Sequence, residues 1–318
     1  MIPSAVLLLY AAAVALVLTP ALRRAQWTAR APGYGLWVWM ALSWSLVLAA
    51  GLAVVSLCLG ALASSASLQA SLAMCLRALT GQAGLACAVL AGLSLLGIVG
   101  GAGRLLLVLT RTTWHDHQVR GQQGTALRLL GRTDHELGVV ILDDHRPAAY
   151  CLPGRNRRIV LTTAAYDQLT HAQLQAVLAH EHAHLHGHHA LLRTLGTLPS
   201  RLLPGLPAAR EAAEAIHRLL EYRADDAACR RTHRLTLAEA LLALGTPASA
   251  PALNATGTAT AARITRLLTA PGEAGPRRLG TLAAAAAAVL SGPVLLATIA
   301  AALTGPGSIC PLADALPC

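Results

Sequence analysis

Lysine and phenylalanine are both absent from the 318 residues, aromatic side chains make up 3% and charged ones only 13%. An ordinary soluble domain carries roughly 25% charged residues, so about half that share argues against a freely soluble chain. With 55% of residues hydrophobic and a mean hydropathy of +0.53, intrinsic disorder is excluded as well. The length rules out a disulfide-stapled miniprotein, whatever its 7 cysteines do. Acidic residues are scarce, 15 against 25 basic ones that are all arginine, which leaves a formal charge of +10. Such a balance suggests nucleic acid, but in a membrane protein the first question is where the arginines sit. All 13 histidines lie between His115 and His233. That clustering points to chemistry in one stretch.

Four segments are long and apolar enough to cross about 30 Å of hydrocarbon as helices: about Ile2 to Leu22, Leu36 to Leu59, Gly84 to Leu109 and Leu279 to Leu303. The first lacks a positive n-region, and Arg23, Arg24 and Arg30 follow it, so it reads as a retained span and not as a signal peptide. Trp37 and Trp39 suit a headgroup layer, Arg104 can snorkel from the third span, and Pro293 lies inside the fourth. The first connection is basic, the second holds only Arg77, and the other arginines after Arg104 fall between Arg111 and Arg278. Positive-inside then places the amino terminus outside and residues 111–278 in the cytoplasm. The expected organisation is three transmembrane helices over 1–110, a cytoplasmic domain over 111–278, a fourth span over 279–304 and a short extracytoplasmic tail over 305–318, in a bacterial plasma membrane. The lipid bilayer is thus an expected partner. Topology accounts for the arginine excess, and no nucleic-acid partner is expected. Cys58, Cys75, Cys310 and Cys318 fall on the oxidising side, able to form two bridges of open connectivity. Unpaired membrane cysteines are the plainer alternative.

Within the cytoplasmic stretch, residues 138–143 (GVVILD) and 158–163 (RIVLTT) read as strands. PAAYCLPGRN between them supplies an extended piece and a Pro153–Gly154 turn, giving a small sheet of three strands. Thr170 with Gln173 fits a capping box, and Leu169 with Leu174 a hydrophobic staple, so a helix starts at His171. Residues 187–207 are broken by arginine and proline and suit an interfacial hairpin. A second helix is expected from about Ala208 to Arg231, then a low-complexity linker over 245–260 and a short helix, AARITRLL.

The chemistry centres on His180-Glu181-His182-Ala183-His184, an HExxH on the first of these helices. His180 and His184, four apart, project from one face and can bind one zinc ion. Glu181 lies beside that face, placed to take a proton from the attacking water. The second helix carries Glu221-Tyr222-Arg223-Ala224-Asp225, an ExxxD pattern. Catalytic zinc takes three protein ligands and keeps one position open, and Glu221 can be the third. Asp225, one turn on, can accept the free ring N–H of His180 and so fix its tautomer. Two amphipathic helices with solvated polar faces are the plain alternative.

HEHAH, EYRADDAA, AAYCLPGRNRRIVLTT and RITRLL together resemble the BlaR/MecR family of membrane zinc metallopeptidases, over about residues 138 to 270. The resemblance implies a gluzincin domain, zincin-like, mainly helical and α+β, set in the cytoplasm of a four-span α-helical membrane protein. It also implies one zinc per chain on His180, His184 and Glu221, with Glu181 as the catalytic base. The antibiotic receptors of that family carry a penicillin-binding sensor domain after the last span. Here residues 305–318 follow it with no S-x-x-K, so β-lactam sensing is not expected. The HtpX and CAAX prenyl protease group shares both motifs, but HtpX-like members place spans between them, where this chain has the broken 187–207 stretch.

Other residues carry less. His217, one turn before Glu221, is a candidate transition-state stabiliser against a plain surface role. His186, His188 and His189 extend the histidine run, with His188 one turn beyond His184, and a solvated or membrane-proximal role is expected for them. Arg155, Arg157 and Arg158 border a strand on which an extended substrate can add. The expected activity is hydrolysis of peptide bonds in a protein or peptide substrate, such as regulatory cleavage of a repressor. Membrane quality control by an HtpX-like protease is one alternative, and a non-catalytic zinc-binding signalling scaffold another. A metal transporter would need ionisable residues within the spans, where only Arg104 is found.

Overall fold

The computed structural model describes residues 2–62, 92, 96–112, 114, 118, 130–153, 157–245, 253–269 and 276–304. Apolar composition makes both flanks of the described chain helical. Helix α1 (Ile2–Ala13) runs through a π-helical turn, Val14–Leu18, into α2 (Thr19–Arg24), whose Pro20 has no N–H to continue a regular ladder. A short α3 (Trp27–Arg30) leads to α4 (Pro32–Leu62), and α5 covers residues 96–112. Two stretches, Pro3–Arg24 and Pro32–Ser56, are long and apolar enough to cross a membrane, and Ala284–Ala300 is a shorter apolar helix. Of the expected third span, residues 84–91 and 93–95 lie outside the described residues, as do Cys75, Cys310 and Cys318, whereas Cys58 falls within α4. Arg104, able to snorkel by its place near a span end, donates to the carbonyls of Arg201 (2.6 Å) and Leu202 (2.7 Å) at the C-terminal end of another helix, where a cation meets unsatisfied carbonyls and the negative end of the dipole.

The sheet has four strands and not three: β1 (Gly131–Asp134), β2 (Val139–Leu142), β3 (Ala149–Leu152) and β4 (Arg158–Thr162), in the order β1-β2-β4-β3. The additional strand, GRTD, has no apolar alternation to announce it. It is held by a hairpin in which Asp134 Oδ1 accepts from the N–H groups of Glu136 (2.9 Å) and Leu137 (3.1 Å), and Gly138 takes φ +68°. His135 is exposed in that turn. β2 runs parallel to β4 and β3 antiparallel to it, which leaves β3 at the edge.

After α6 (Thr163–Gln168), the expected capping box opens α7 (His171–His186): Thr170 N–H donates to Gln173 Oε1 (3.0 Å) and Gln173 N–H to Thr170 Oγ1 (3.4 Å). Leu169 and Leu174 are buried together in the core between sheet and α7. The 187–207 stretch forms α8 (His189–Leu202), a regular helix with Pro199 inside it, joined by a short turn to α9 (Pro207–Ala228). Half of the expected linker is helical too: after α10 (Arg234–Gly245), α11 spans Leu253–Thr269, and α12 (Pro276–Thr304) closes the described chain.

Helix α9 joins the two halves. Its alanine and leucine face (Ala208, Ala212, Ala215, Ile216, Leu219) shares one core with Val14, Leu36, Trp39, Leu42 and Leu46. Trp39, expected near the headgroups, is therefore a core residue at 2% exposure, while Trp37 is exposed. α12 packs on α1 and α4, and Tyr10 O–H donates to Val289 O (2.6 Å). The opposite face of α9 meets α7.

Candidate metal centre

Helical spacing puts His180 and His184 one turn apart, and both are buried, with Nε2 atoms 3.0 Å from each other. α9 crosses beside them and brings Glu221, whose Oε2 lies 3.5 Å from His180 Nε2 and Oε1 3.7 Å from His184 Nε2. One ligand atom from each of the three lies within 4.8 Å of the others, a cluster able to hold a metal ion. Two imidazoles and one carboxylate are a chemically suitable donor set for a divalent metal.

The surrounding groups are tied in turn. Asp225, fully buried, has Oδ1 3.0 Å from His180 Nδ1, on the ring side away from Glu221. Arg263, from α11, grips the same carboxylate with Nε (2.9 Å to Oδ2) and Nη2 (2.6 Å to Oδ1), and its Nη1 stands 3.2 Å from Glu221 Oε2. Burial opposes the negative charge of Asp225 and Glu221, but hydrogen bonds from His180, and the Arg263 charge, hold both pKa values below the usual carboxylate range. Burial likewise opposes a charge on His180, yet Asp225 and Glu221 outweigh it and raise its pKa to about 9. His184 has a different partner: its Nδ1 is 2.9 Å from Nδ1 of His189, which burial, then the charges of His184 and Arg223, push down to about 3.

Glu181 is 9% exposed, and burial raises its pKa despite the two imidazoles beside it. A carboxylate tuned upwards is a better proton acceptor near neutral pH. Cys151, on β3, is raised to about 12, first by burial and then by the Glu181 charge, so its thiol stays protonated and is no nucleophile. His180, Glu181, His184, Glu221, Cys151 and Arg263 open onto a cavity of about 950 Å³, with Asp225 and His189 behind them. β3, α7, the start of α8, Glu221 and the apolar residues Leu237, Leu241 and Leu244 of α10 line it. Arg193 stands at its rim with 45% of the side chain exposed and Nη2 3.7 Å from Glu221 Oε1.

His180, Glu181, His184, Glu221 and Asp225 are thus brought together, whereas His217 is exposed and absent from the cavity lining. His189, expected to be solvated, is 2% exposed. The helical phase that put His188 beyond His184 ends at Gly187, and His188 is exposed with φ 50°. Motif reading did not single out Arg193, Arg263 or His189 for the site. The one available signal was Arg263 and Arg266, spaced one turn apart in the RITRLL segment.

Residues 115–203 match the family model of Peptidase family M48. No curated protein and no solved structure matches the chain. The matched stretch covers the sheet and the HExxH helix and ends before Glu221, which the fold brings in. The M48 match supports a metallopeptidase, and the His180-His184-Glu221 cluster agrees with metal dependence.

Proposed function

We propose that the protein is a membrane zinc endopeptidase of the BlaR/MecR type, which cleaves an extended segment of a protein substrate in the cytoplasm. The observation that carries this reading is the meeting of three ligand atoms and a buried Glu181 at the wall of a cavity that the edge strand β3 also lines. His180, His184 and Glu221 hold the metal. Bound there, zinc supplies Lewis acidity towards the scissile carbonyl and the attacking water. Glu181 takes the proton from that water and passes it to the leaving amine. Substrate lies extended along β3, adding to its free edge, with an apolar side chain against Leu237, Leu241 and Leu244. The negative charge that develops on the former carbonyl oxygen falls to Arg193, a half-exposed cation in the cavity lining 3.7 Å from Glu221.

In the membrane, four spans put the first connection and the protease on one side. Three contacts support that side: Arg23 lies 3.7 Å from Glu211, Arg266 Nε donates to Ala29 O (2.8 Å), and α3 packs on α9. Regulatory cleavage of a repressor fits a cavity on the cytoplasmic side. A scaffold that only binds zinc has no use for a carboxylic acid buried beside the ligands, which favours the enzyme.

Zinc content of the detergent-purified protein is the test. About one zinc per chain is expected, lost in Glu221→Ala and kept in Glu181→Gln, with hydrolysis of an unfolded protein such as casein lost in both. Zinc retained by Glu221→Ala would rule out the three-ligand site, and activity surviving Glu181→Gln would rule out the base.

A further inference from the structure

We propose that His189 is a positioning residue for the metal ligand His184, delivered by a left-handed turn at Gly187–His188 that ends the motif helix. The inference rests on the zinc-site reading above and adds to it the group that orients the second imidazole.

The geometry begins with the backbone. α7 stops at His186, and His188 takes φ 50°, the only positive φ at a non-glycine among the described residues. A side chain with a Cβ rarely adopts that conformation, so something in the fold holds it there. The turn starts α8 at His189, whose ring folds back onto His184 with 2% exposure. Gly187 is what allows the return. A Cβ at that position would lie 2.5 Å from His189 Nε2 and 2.8 Å from Ala183 O, closer than any real contact. Nothing larger than hydrogen fits, because the imidazole occupies the space.

The chemistry follows from the shared hydrogen bond. His184 Nδ1 and His189 Nδ1 stand 2.9 Å apart, with the ring planes at 89°. Two imidazoles make such a bond only when one nitrogen donates and the other accepts. With His184 donating from Nδ1, its Nε2 lone pair faces His180 and Glu221, free for a metal. With the roles reversed, the proton sits on His184 Nε2 and blocks that ligand. In the proposed arrangement His189 accepts at Nδ1 and so selects the tautomer of His184 that binds metal, the part Asp225 takes for His180. The two ligands are held by unlike partners: a buried carboxylate locked by Arg263 on one, a second imidazole five residues along the chain on the other.

The experiment uses the full chain in detergent and measures zinc affinity by competition with a chromophoric chelator, alongside the visible spectrum of the cobalt-substituted protein. His189→Ala is expected to weaken zinc binding about 10–100-fold and to change the cobalt absorption. His189→Asn, whose side-chain carbonyl can accept from His184 Nδ1–H, is expected to recover most of that loss. Melting of the metal-free proteins tells whether His189→Ala still folds, and the asparagine variant carries the test if it does not. Affinity and spectrum unchanged in His189→Ala overturn the proposal. Asparagine as weak as alanine, in proteins that both fold, also overturns it and leaves His189 as packing. A wild type that binds no zinc overturns the zinc-site reading itself, and this inference with it.

Discussion

The two sides of Glu221 are built differently. On one side Arg263, with 13% of its side chain exposed, bridges Glu221 and the buried Asp225. On the other, Arg193 reaches the same carboxylate only at 3.7 Å, with nearly half of its side chain in solvent. The same residue type in the same field does two jobs. A buried guanidinium locked by a bidentate carboxylate fixes geometry, and removing it strands a charge. An exposed one contributes little to stability but keeps its donors free for substrate.

Substitution sharpens that contrast, and the buried side has the larger effect. Arg263→Ala leaves Asp225 with only His180 to balance it, and a loss of about 3–5 kcal/mol of stability is expected, with zinc binding impaired as well. Denaturant melts of the metal-free protein check this, and a stability change below about 1 kcal/mol would place Arg263 with Arg193. Arg193→Ala is expected to do the reverse: kcat on casein falls about 100-fold while zinc content and melting temperature hold. A rise in KM at constant kcat would instead make Arg193 a binder of substrate charge. The smallest effect belongs to the apolar face of α9. Gly196 on α8 packs so closely that a Cβ there would meet Ile216 Cγ2 at 2.6 Å. Gly196→Ala should cost about 1–3 kcal/mol, largely recovered in the Ile216→Ala background. Volume lost on one helix makes room on the other, whereas a stranded charge has no such remedy. Additive losses in the double variant would mean that the two positions do not share that space.

Local patterns carried part of this into the sequence. The capping box at Thr170 and Gln173 sets where α7 starts, and so the phase that aligns His180 with His184. ExxxD spacing put Glu221 and Asp225 one turn apart, and α9 places both against α7. β1 went unread because GRTD has no apolar alternation and is held by its pairing with β2. The 187–207 stretch looked broken because Pro199 and its arginines interrupt an apolar run, yet one face of that helix is covered by α4 and α9. Trp39 looked interfacial because an aromatic at the start of a span usually is, and α9 buried it.

What the sequence by itself determined is a set of periodicities: apolar runs long enough for a membrane, two histidines on one helical face with a glutamate beside it, and a carboxylate pair on another helix. Each depends only on residues within a turn or two of one another, which hydrogen-bonded helix geometry places without help. Only the tertiary structure decided which groups complete the site. Arg263 reaches Asp225 across 38 positions and His180 across 83, a meeting set by how α11 packs on α10 and α9. His189 reaches His184 because one residue leaves helical backbone. Neither a long-range contact nor a left-handed turn has a periodic signature, since both follow from which surfaces the whole chain buries together.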